Sequence, residues 1–221
     1  DSNATVAQIK ELEEAGCEIV RVAVPDEAAA KAIHDIRSRI HIPLIADIHF
    51  QYSLALQAMN SGVDGIRINP GNIPPDGIRR IVAVARENRK VIRIGINSGS
   101  LEKGIIARHG GPTAQAMVES ALKNIRLLEE MDFDLIKLSL KSSDVPTTIE
   151  AYRAVSAKTE YPLHLGVIHA NAPQIAQDFR DQITRHLQCK EVFTLELSPA
   201  IGVHVGPGTI GTALYAEINT D

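Results

Sequence analysis

Basic side chains recur on one alternating face of successive short apolar segments, and they are the residues best suited to chemistry. They are Arg21, Arg67, Arg93, Lys137 and Lys141, and few acids apart from Asp47 share this face. Cations that converge on one concave, partly dry site repel each other unless an anion binds, and guanidinium groups match phosphate oxygens. The set therefore predicts a phosphate or diphosphate pocket. For any single cation, the alternative is an ion pair with Asp47 or with a loop acid.

Polar residues at the strand ends extend this pattern. In IADIHF, Asp47 and His49 share a face, where the carboxylate either orients the imidazole for acid–base chemistry or bonds a structural histidine. In RINPGN, Arg67 and Asn69 share a face before a Pro-Gly turn, whose N–H groups either meet a phosphate or belong to an ordinary turn. The segment KSSD ends another strand, and its polar residues also fit caps of the next helix.

Strand-like and helical segments alternate along the chain. The sequence predicts strands over residues 19–24, 44–48, 66–69, 91–97, 135–141, 163–168 and 192–197, with helices in the intervals. Most of these strands begin about 22 to 29 residues apart, the length of one βα unit. The glycine-rich interval 97–113 predicts a functional loop or lid. A last strand over 212–217 follows too closely for a full crossover helix.

The alternation within the strands favours a closed barrel. Strands of an open doubly wound sheet meet helices on both faces, so a polar face on six successive strands would be costly. In a barrel that face is the interior, the helices cover the outside, and ligand-binding groups collect at the carboxyl ends of the strands. We therefore expect an α/β protein with a TIM-like (β/α) barrel.

Composition excludes several classes of partner. The net charge of -4 gives no general attraction to nucleic acid or to anionic lipid. No apolar run reaches the length needed to span a bilayer and no signal peptide is present, so we expect a cytoplasmic protein without membrane contact. Cys17 and Cys189 lie far apart and cannot form a disulfide framework or a metal cage by themselves.

Six motifs in order resemble one enzyme family, over residues 4–167. They are VRVAVPD, PLIADIHF, RINPGNI, RIGINSGSLEK, LKSSDVP and YPLHLGV. The segment is similar to the barrel domain of the 4-hydroxy-3-methylbut-2-enyl diphosphate synthase family, also called IspG or GcpE. The resemblance implies reductive opening of the cyclic diphosphate of methylerythritol on a [4Fe-4S] cluster. It implies that the diphosphate and neighbouring oxygens are held by Arg21, Arg67, Asn69, Arg93, Asn97 and Lys141, with Asp47 and His49 beside the substrate.

The sequence departs from this family at several points. Family members have an additional first barrel strand before the region that matches Thr5. Where the family has LGVTEAG this chain has LGVIHANAP, with His169 in place of an acid, and FTLELS lacks an Arg and a Ser of the family's eighth strand. The cluster domain with its three cysteine ligands has no counterpart. We therefore expect no cofactor in this chain and no catalytic turnover.

The remaining residues, about 167–217, resemble the C-terminal part of the DegV fatty-acid-binding family. The segment HVGPG carries this resemblance, and it implies that His204 lies near a lipid carboxylate. The alternative is that His204 is a turn residue kept with its parent fragment.

Together the two resemblances predict a chimera, designed or natural. Residues 1–167 form a truncated diphosphate-synthase-like barrel, and residues 168–221 complete the same domain. The last strand either fills the vacant first position or runs antiparallel. We expect a scaffold without turnover that keeps part of a diphosphate-binding interior for phosphate, pyrophosphate or a cyclic diphosphate. The alternatives are a functional synthase fragment and, less favoured, a fatty-acid-binding module. An unpaired barrel edge would favour a homodimer through strand exchange.

Overall fold

The computed structural model describes residues 1–48, 51–161, 164–185, 192–196 and 208–215. The helices in these residues are α1 (Ser2–Glu14), α2 (Glu27–Ser38), α3 (Tyr52–Asn60), α4 (Pro75–Glu87), α5 (Lys103–His109), α6 (Ala114–Glu129), α7 (Val145–Ser156) and α8 (Pro173–Thr184). The strands are β1 (Val20–Ala23), β2 (Leu44–Ile48), β3 (Gly65–Ile68), β4 (Val91–Asn97), β5 (Ile136–Lys141), β6 (His164–His169), β7 (Val192–Glu196) and β8 (Ile210–Tyr215). Within this part of the chain, no helix is long and apolar enough to span a bilayer.

The strands form two sheets. Strands β1 to β5 lie in sequence order, and each neighbouring pair is parallel. In the second sheet β6 lies between β7, which is parallel to it, and β8, which is antiparallel. Strand β8 also contacts β5. Parallel neighbours joined by helices are the βα repeat that the sequence predicts.

The structure contradicts one of the two positions predicted for the last strand. Strand β8 pairs antiparallel with β6 from Ile210 to Tyr215, so the prediction that it fills the first position of the barrel is wrong. A parallel return requires a crossover of about a dozen residues or more, usually helical, whereas an antiparallel return does not. The antiparallel alternative is confirmed.

The interval 97–113 contains more regular structure than a loop. A 3-10 turn at Ser98–Ser100 is followed by α5, which buries Ile105 and ends at Gly110 with a left-handed φ of 69°. Glycine adopts this conformation at little steric cost, so Gly110 ends the helix and does not prevent it. The interval predicted as a functional loop or lid thus contains a helix, and its function stays a prediction.

Isoleucine fills the layer between the first sheet and its helices. Fully buried side chains include Ile66, Ile68, Ile92, Ile94 and Ile96 from the strands and Ile33, Ile78 and Ile81 from the helices. The intervening strand residues carry the polar side chains and are mostly less buried. The predicted separation of an apolar, helix-covered face from a polar face is confirmed for β1 to β5. Burial of the apolar face stabilises the sheet and leaves the other face for function.

Glu13 links the end of α1 to the segment that enters β2. Its carboxylate accepts the backbone N–H groups of His41 and Ile42, at 2.7 and 3.1 Å. The His41 ring Nδ1 lies 3.3 Å from the same carboxylate. The two backbone hydrogen bonds, followed by the His41 side chain, hold the pKa of Glu13 below its ordinary value of 4.5.

We predict that Glu13→Gln reduces stability at neutral pH. A lowered carboxyl pKa in the folded state stabilises the fold above the ordinary pKa, and this contribution is lost as pH falls through the lowered pKa. Glu13→Gln should therefore shrink the drop in unfolding free energy between neutral pH and about pH 3, measured by urea titration. Glu14→Gln, which alters an exposed neighbouring carboxylate, is the control. An equal change in the pH dependence of the unfolding free energy in both variants would contradict the role assigned to Glu13.

Tyr152 of α7 provides a hydrogen-bond acceptor for a backbone N–H on the edge of β5 that faces away from β4. Its hydroxyl oxygen accepts the N–H of Leu140 at 3.0 Å, and the side chain is buried. Burial raises the pKa of Tyr152 to about 12, so the phenol stays protonated at neutral pH. The phenol thus takes the place of a neighbouring strand at this position.

We predict that Tyr152→Phe destabilises the fold by about 1–3 kcal/mol, because the buried N–H of Leu140 loses its acceptor. Tyr161→Phe is the matched control, since the Tyr161 hydroxyl donates to Glu129 at 3.2 Å from a partly exposed position. The control should change the free energy of unfolding by about 0.5 kcal/mol or less. A similar loss in both variants, in urea denaturation, would show that the Leu140 contact is unimportant.

Candidate anion-binding site

Four charged residues align across the polar face of the first sheet. Asp47 of β2 is in register with Arg67 of β3, Arg67 with Arg93 of β4, and Arg93 with Lys137 of β5. We call these four residues the charged layer. Alternate residues of a strand point to the same face, so aligned positions on neighbouring strands place these side chains side by side. Three cations in this layer face one carboxylate.

Asp47 is the centre of the charge balance. Nη1 of Arg67 donates to Oδ1 of Asp47 at 3.1 Å, and Nε of Arg21 lies 3.5 Å from Oδ2. The side chains of Arg67 and Asp47 are 11% and 12% exposed, whereas that of Arg21 is 50% exposed. Arg21 and Arg67 thus each pair with Asp47, as the ion-pair alternative predicts, and their binding of a phosphate stays a prediction. Their pairing also fixes two guanidinium groups on the polar face.

Arg93 and Lys137 lie in a positive field. Burial lowers the pKa of Arg93 most; the charges of Arg21 and Arg67 lower it further, while Tyr152 and Asp47 act in the opposite direction. Burial, and then the charge of Arg93, lowers the pKa of Lys137. Both shifts mean that the positive forms are held against desolvation and mutual repulsion. An anion placed among them would relieve both costs.

Asn69 lies beyond the charged layer, just after β3. It is buried, its Nδ2 donates to the hydroxyl of Ser100 at 3.1 Å, and its Oδ1 accepts the N–H of Gly71 at 3.1 Å. The N–H groups of Asn72 and Ile73 also bond within the turn. These amides are therefore occupied locally, as in an ordinary turn, and Asn69 fastens the end of β3 to the segment before α5.

The remaining predicted residues lie at the carboxyl ends of the strands or outside the described residues. Asn97 and Lys141 are in register at the ends of β4 and β5; Asn97 is partly buried and Lys141 is exposed. Asp144 caps α7 by accepting the N–H of Thr147 at 2.8 Å, so the capping interpretation of KSSD is confirmed. His49 and His204 lie outside the described residues.

Sequence reasoning missed two contributors to this region. Ser100 is the partner of Asn69, and no local pattern distinguishes it from other loop serines. Gly95 lies on β4 directly beside the Arg67 guanidinium. A glycine inside a strand often marks a close approach by another group, so the isolated glycine in RIGIN was the available signal.

The implied [4Fe-4S] cluster does not fit the residues of this chain. The sequence has two cysteines, fewer than the three cysteine ligands that the resemblance implies. Cys17 donates its S–H to the carbonyl of Ile19, 3.2 Å away, before β1. In the part of the chain that the structure describes, no cluster of three or more His, Cys, Asp or Glu side chains is placed to hold a metal ion.

Solved structures with the same architecture are barrel enzymes of low sequence identity. The dihydropteroate synthase of Yersinia pestis superposes with a TM-score of 0.58 at 8% identity, over 88% of this chain and 82% of that chain. A phosphonopyruvate hydrolase gives 0.52 at 18% identity, over 89% and 74%. At these identities the similarity shows the fold alone.

Curated relatives match at much higher identity. The 4-hydroxy-3-methylbut-2-en-1-yl diphosphate synthase (flavodoxin) of Thermodesulfovibrio yellowstonii is 58% identical over 165 residues, which is 74% of this chain and 47% of that protein. The enzyme of the same name from Geobacillus thermodenitrificans is 58% identical over 171 residues, 77% of this chain and 46% of that protein. The chain thus spans about half the length of these relatives.

The family match extends further than the sequence motifs. The GcpE TIM-barrel domain matches residues 1–177, ten residues past the predicted boundary at 167. The match runs through β6 and into α8. The barrel class expected from the alternation of the strands agrees with this domain. Since the match covers most of the chain, this protein belongs to the GcpE family through its TIM-barrel domain.

Proposed function

We propose that this chain binds the diphosphate group of a small cyclic diphosphate, methylerythritol cyclodiphosphate, on the polar face of its first sheet. The observation that carries this proposal is the charged layer, in which Arg67, Arg93 and Lys137 face Asp47. The curated relatives are named as synthases of an organic diphosphate, which supports a ligand of this class.

Geometry favours a diphosphate over a single small anion. Arg67 and Arg93 lie on neighbouring strands in the same register, and strands are about 4.8 Å apart. Two guanidinium groups at this spacing can each address one phosphate of the same ligand with paired N–H donors. Asn97 and Lys141 are in register at the carboxyl ends of β4 and β5, which supports a role for them in binding other oxygens of the ligand. The family resemblance also implies a role for His49, which lies outside the described residues.

The activity proposed for the residues given is binding. The reductive chemistry implied by the family requires an iron–sulfur cluster with three cysteine ligands, whereas the sequence has two cysteines. The described polar face offers fixed cations and hydrogen-bond donors, which recognise and orient a diphosphate. Among the functions that the sequence predicts, the comparisons support the alternative, a synthase fragment that binds methylerythritol cyclodiphosphate, better than the chimeric scaffold.

The division of the chain stays part of the proposal. We infer that residues 168–221 complete the domain begun by residues 1–167, and that those beyond the family match, 178–221, derive from a DegV-like protein, forming a chimera. Completion of one domain is supported by β6, which spans this boundary and pairs with both β7 and β8, and by the contact of β8 with β5. Among the described strands, β1 pairs with β2 alone, so its other edge is where strand exchange with a second copy would occur.

The first test of this function removes single cations. Arg67→Ala and Arg93→Ala should each weaken pyrophosphate binding about tenfold or more in isothermal titration calorimetry, because a charge-assisted contact is lost. Arg79→Ala removes the same charge from the exposed surface of α4, where Arg79 pairs with Asp76 at 2.6 Å, and should leave affinity nearly unchanged. Absence of heat at millimolar pyrophosphate with the unsubstituted chain would refute the proposal. Equal losses of pyrophosphate affinity in all three variants would show a general effect of net charge and would contradict a specific site.

A second test removes the counter-charge. Asp47→Asn leaves Arg21 and Arg67 without their shared carboxylate, so repulsion within the polar face should lower the melting temperature in low-salt chloride buffer. Added phosphate should then raise the melting temperature of this variant more than that of the unsubstituted chain, because anion binding restores the balance. Asp76→Asn, in the exposed pair with Arg79, is the control. A phosphate response that is equal in all three proteins would argue against an anion site at Asp47.

A further inference from the structure

Gly95 of β4 occupies a position where a side chain would collide with the charged layer. A Cβ built there would lie 2.5 Å from Nη2 and 2.7 Å from Cζ of Arg67, and closer still to Nε. Real Cβ atoms essentially never approach other heavy atoms below 3.0 Å. The three closest atoms to this position all belong to one guanidinium group. The space left by the glycine is therefore filled by Arg67.

The backbone does not require glycine at this position. Gly95 is not among the residues with a positive φ, and it lies inside a regular strand that is paired on both sides. Glycine in a strand interior weakens the strand relative to residues with a side chain. Its presence here is explained by the space that Arg67 needs and not by a turn or a left-handed conformation.

The space also determines where the guanidinium lies. Arg67 is in register with Arg93, and Gly95 lies two residues further along β4, about 6.6 Å nearer to its carboxyl end. The Arg67 side chain thus leans toward the carboxyl ends of the strands while Nη1 stays on Asp47. Nε and Nη2 lie on the side of β4, and Nη1 lies on the side of β2.

The geometry points to Gly95 as a positioning residue for Arg67. Because residue 95 has no side chain, a slot remains for the Arg67 guanidinium, which can then present its N–H groups to a phosphate near the carboxyl ends of β3 and β4. This role rests on the proposed function, since it concerns the same ligand site. Asp47 accepts a hydrogen bond from Nη1 of the guanidinium, and the absence of a side chain at residue 95 leaves space for Nε and Nη2. A methyl group at position 95 would push Arg67 out of the slot and break this arrangement.

The test uses calorimetry with inorganic pyrophosphate on Gly95→Ala. Affinity should fall about tenfold, as expected for loss of one well-placed charge-assisted contact. Ser139→Ala is the matched control, because Ser139 is in register with Gly95 on the neighbouring strand and faces the same side. The control should bind like the unsubstituted chain. Unchanged affinity in Gly95→Ala would overturn the role of Gly95 while leaving the proposed function intact.

A double-substitution cycle separates positioning from general damage. In the unsubstituted background, Arg67→Lys should weaken binding, because an ammonium group lacks the paired donors of a guanidinium. In the Gly95→Ala background the same change should cost little more, since the guanidinium is already displaced. Equal additional losses in the two backgrounds would show that positions 67 and 95 act independently and would overturn the inference.

Folding of the variant gives a further readout. If Gly95→Ala melts at a lower temperature, adding Arg67→Ala should recover most of the loss, because the three atoms nearest to the new Cβ all belong to the Arg67 side chain. Failure of that recovery would mean that the methyl group disturbs the strand itself, which contradicts the inference. Failure of the unsubstituted chain to bind pyrophosphate would refute the proposed function and, with it, the role of Gly95.

Discussion

The ion pairs of Asp47 with Arg21 and Arg67 are the interaction on which the site depends. Charges on a half-buried sheet face are costly unless opposite charges or hydrogen bonds compensate them. Asp47 compensates two guanidinium groups at once, from β1 on one side and from β3 on the other. Arg93 and Lys137 add two further cationic side chains to the same layer. Asp47 thus offsets part of the positive charge on this face, and the remaining part supports the proposed anion site.

This arrangement is possible because stability and recognition use opposite faces of the same strands. Isoleucines such as Ile92 and Ile94 pack against the helices, and Arg93 between them points the other way. Burial of apolar area on one face supplies the stabilisation that the charged face does not. The hydrogen bonds of Glu13 and Tyr152 hold the segment before β2 and one edge of β5 in place. The charged residues therefore sit on rigid strands without being needed for the core.

Alternation along the strands made most of this predictable from the sequence. In β2 to β5, apolar and polar residues alternate strictly enough to assign each side chain to a face, and the parallel register then follows from the βα repeat. The helix α5 was missed because the glycines of this interval indicate a functional loop or lid, whereas Gly110 only ends the helix. The position of β8 depends on which strand edge is open, and that is a property of the assembled sheet. The isolated glycine in RIGIN signals a close approach by some group, but only the conformation of Arg67 on the neighbouring strand shows which group it is.

Anion recognition and redox chemistry make different demands on a protein chain, which explains how binding can be proposed for a chain about half as long as its relatives. Recognition needs cations and donors on a rigid scaffold, and the charged layer lies entirely within four neighbouring strands, β2 to β5. An iron–sulfur cluster needs several cysteine thiolates close together, and strands β2 to β5 contain no cysteine. The electrostatic part of the site is therefore local to one sheet. Because Asp47 and Gly95 preset the guanidinium of Arg67, that part requires no ligand-induced rearrangement of the strands to meet a diphosphate.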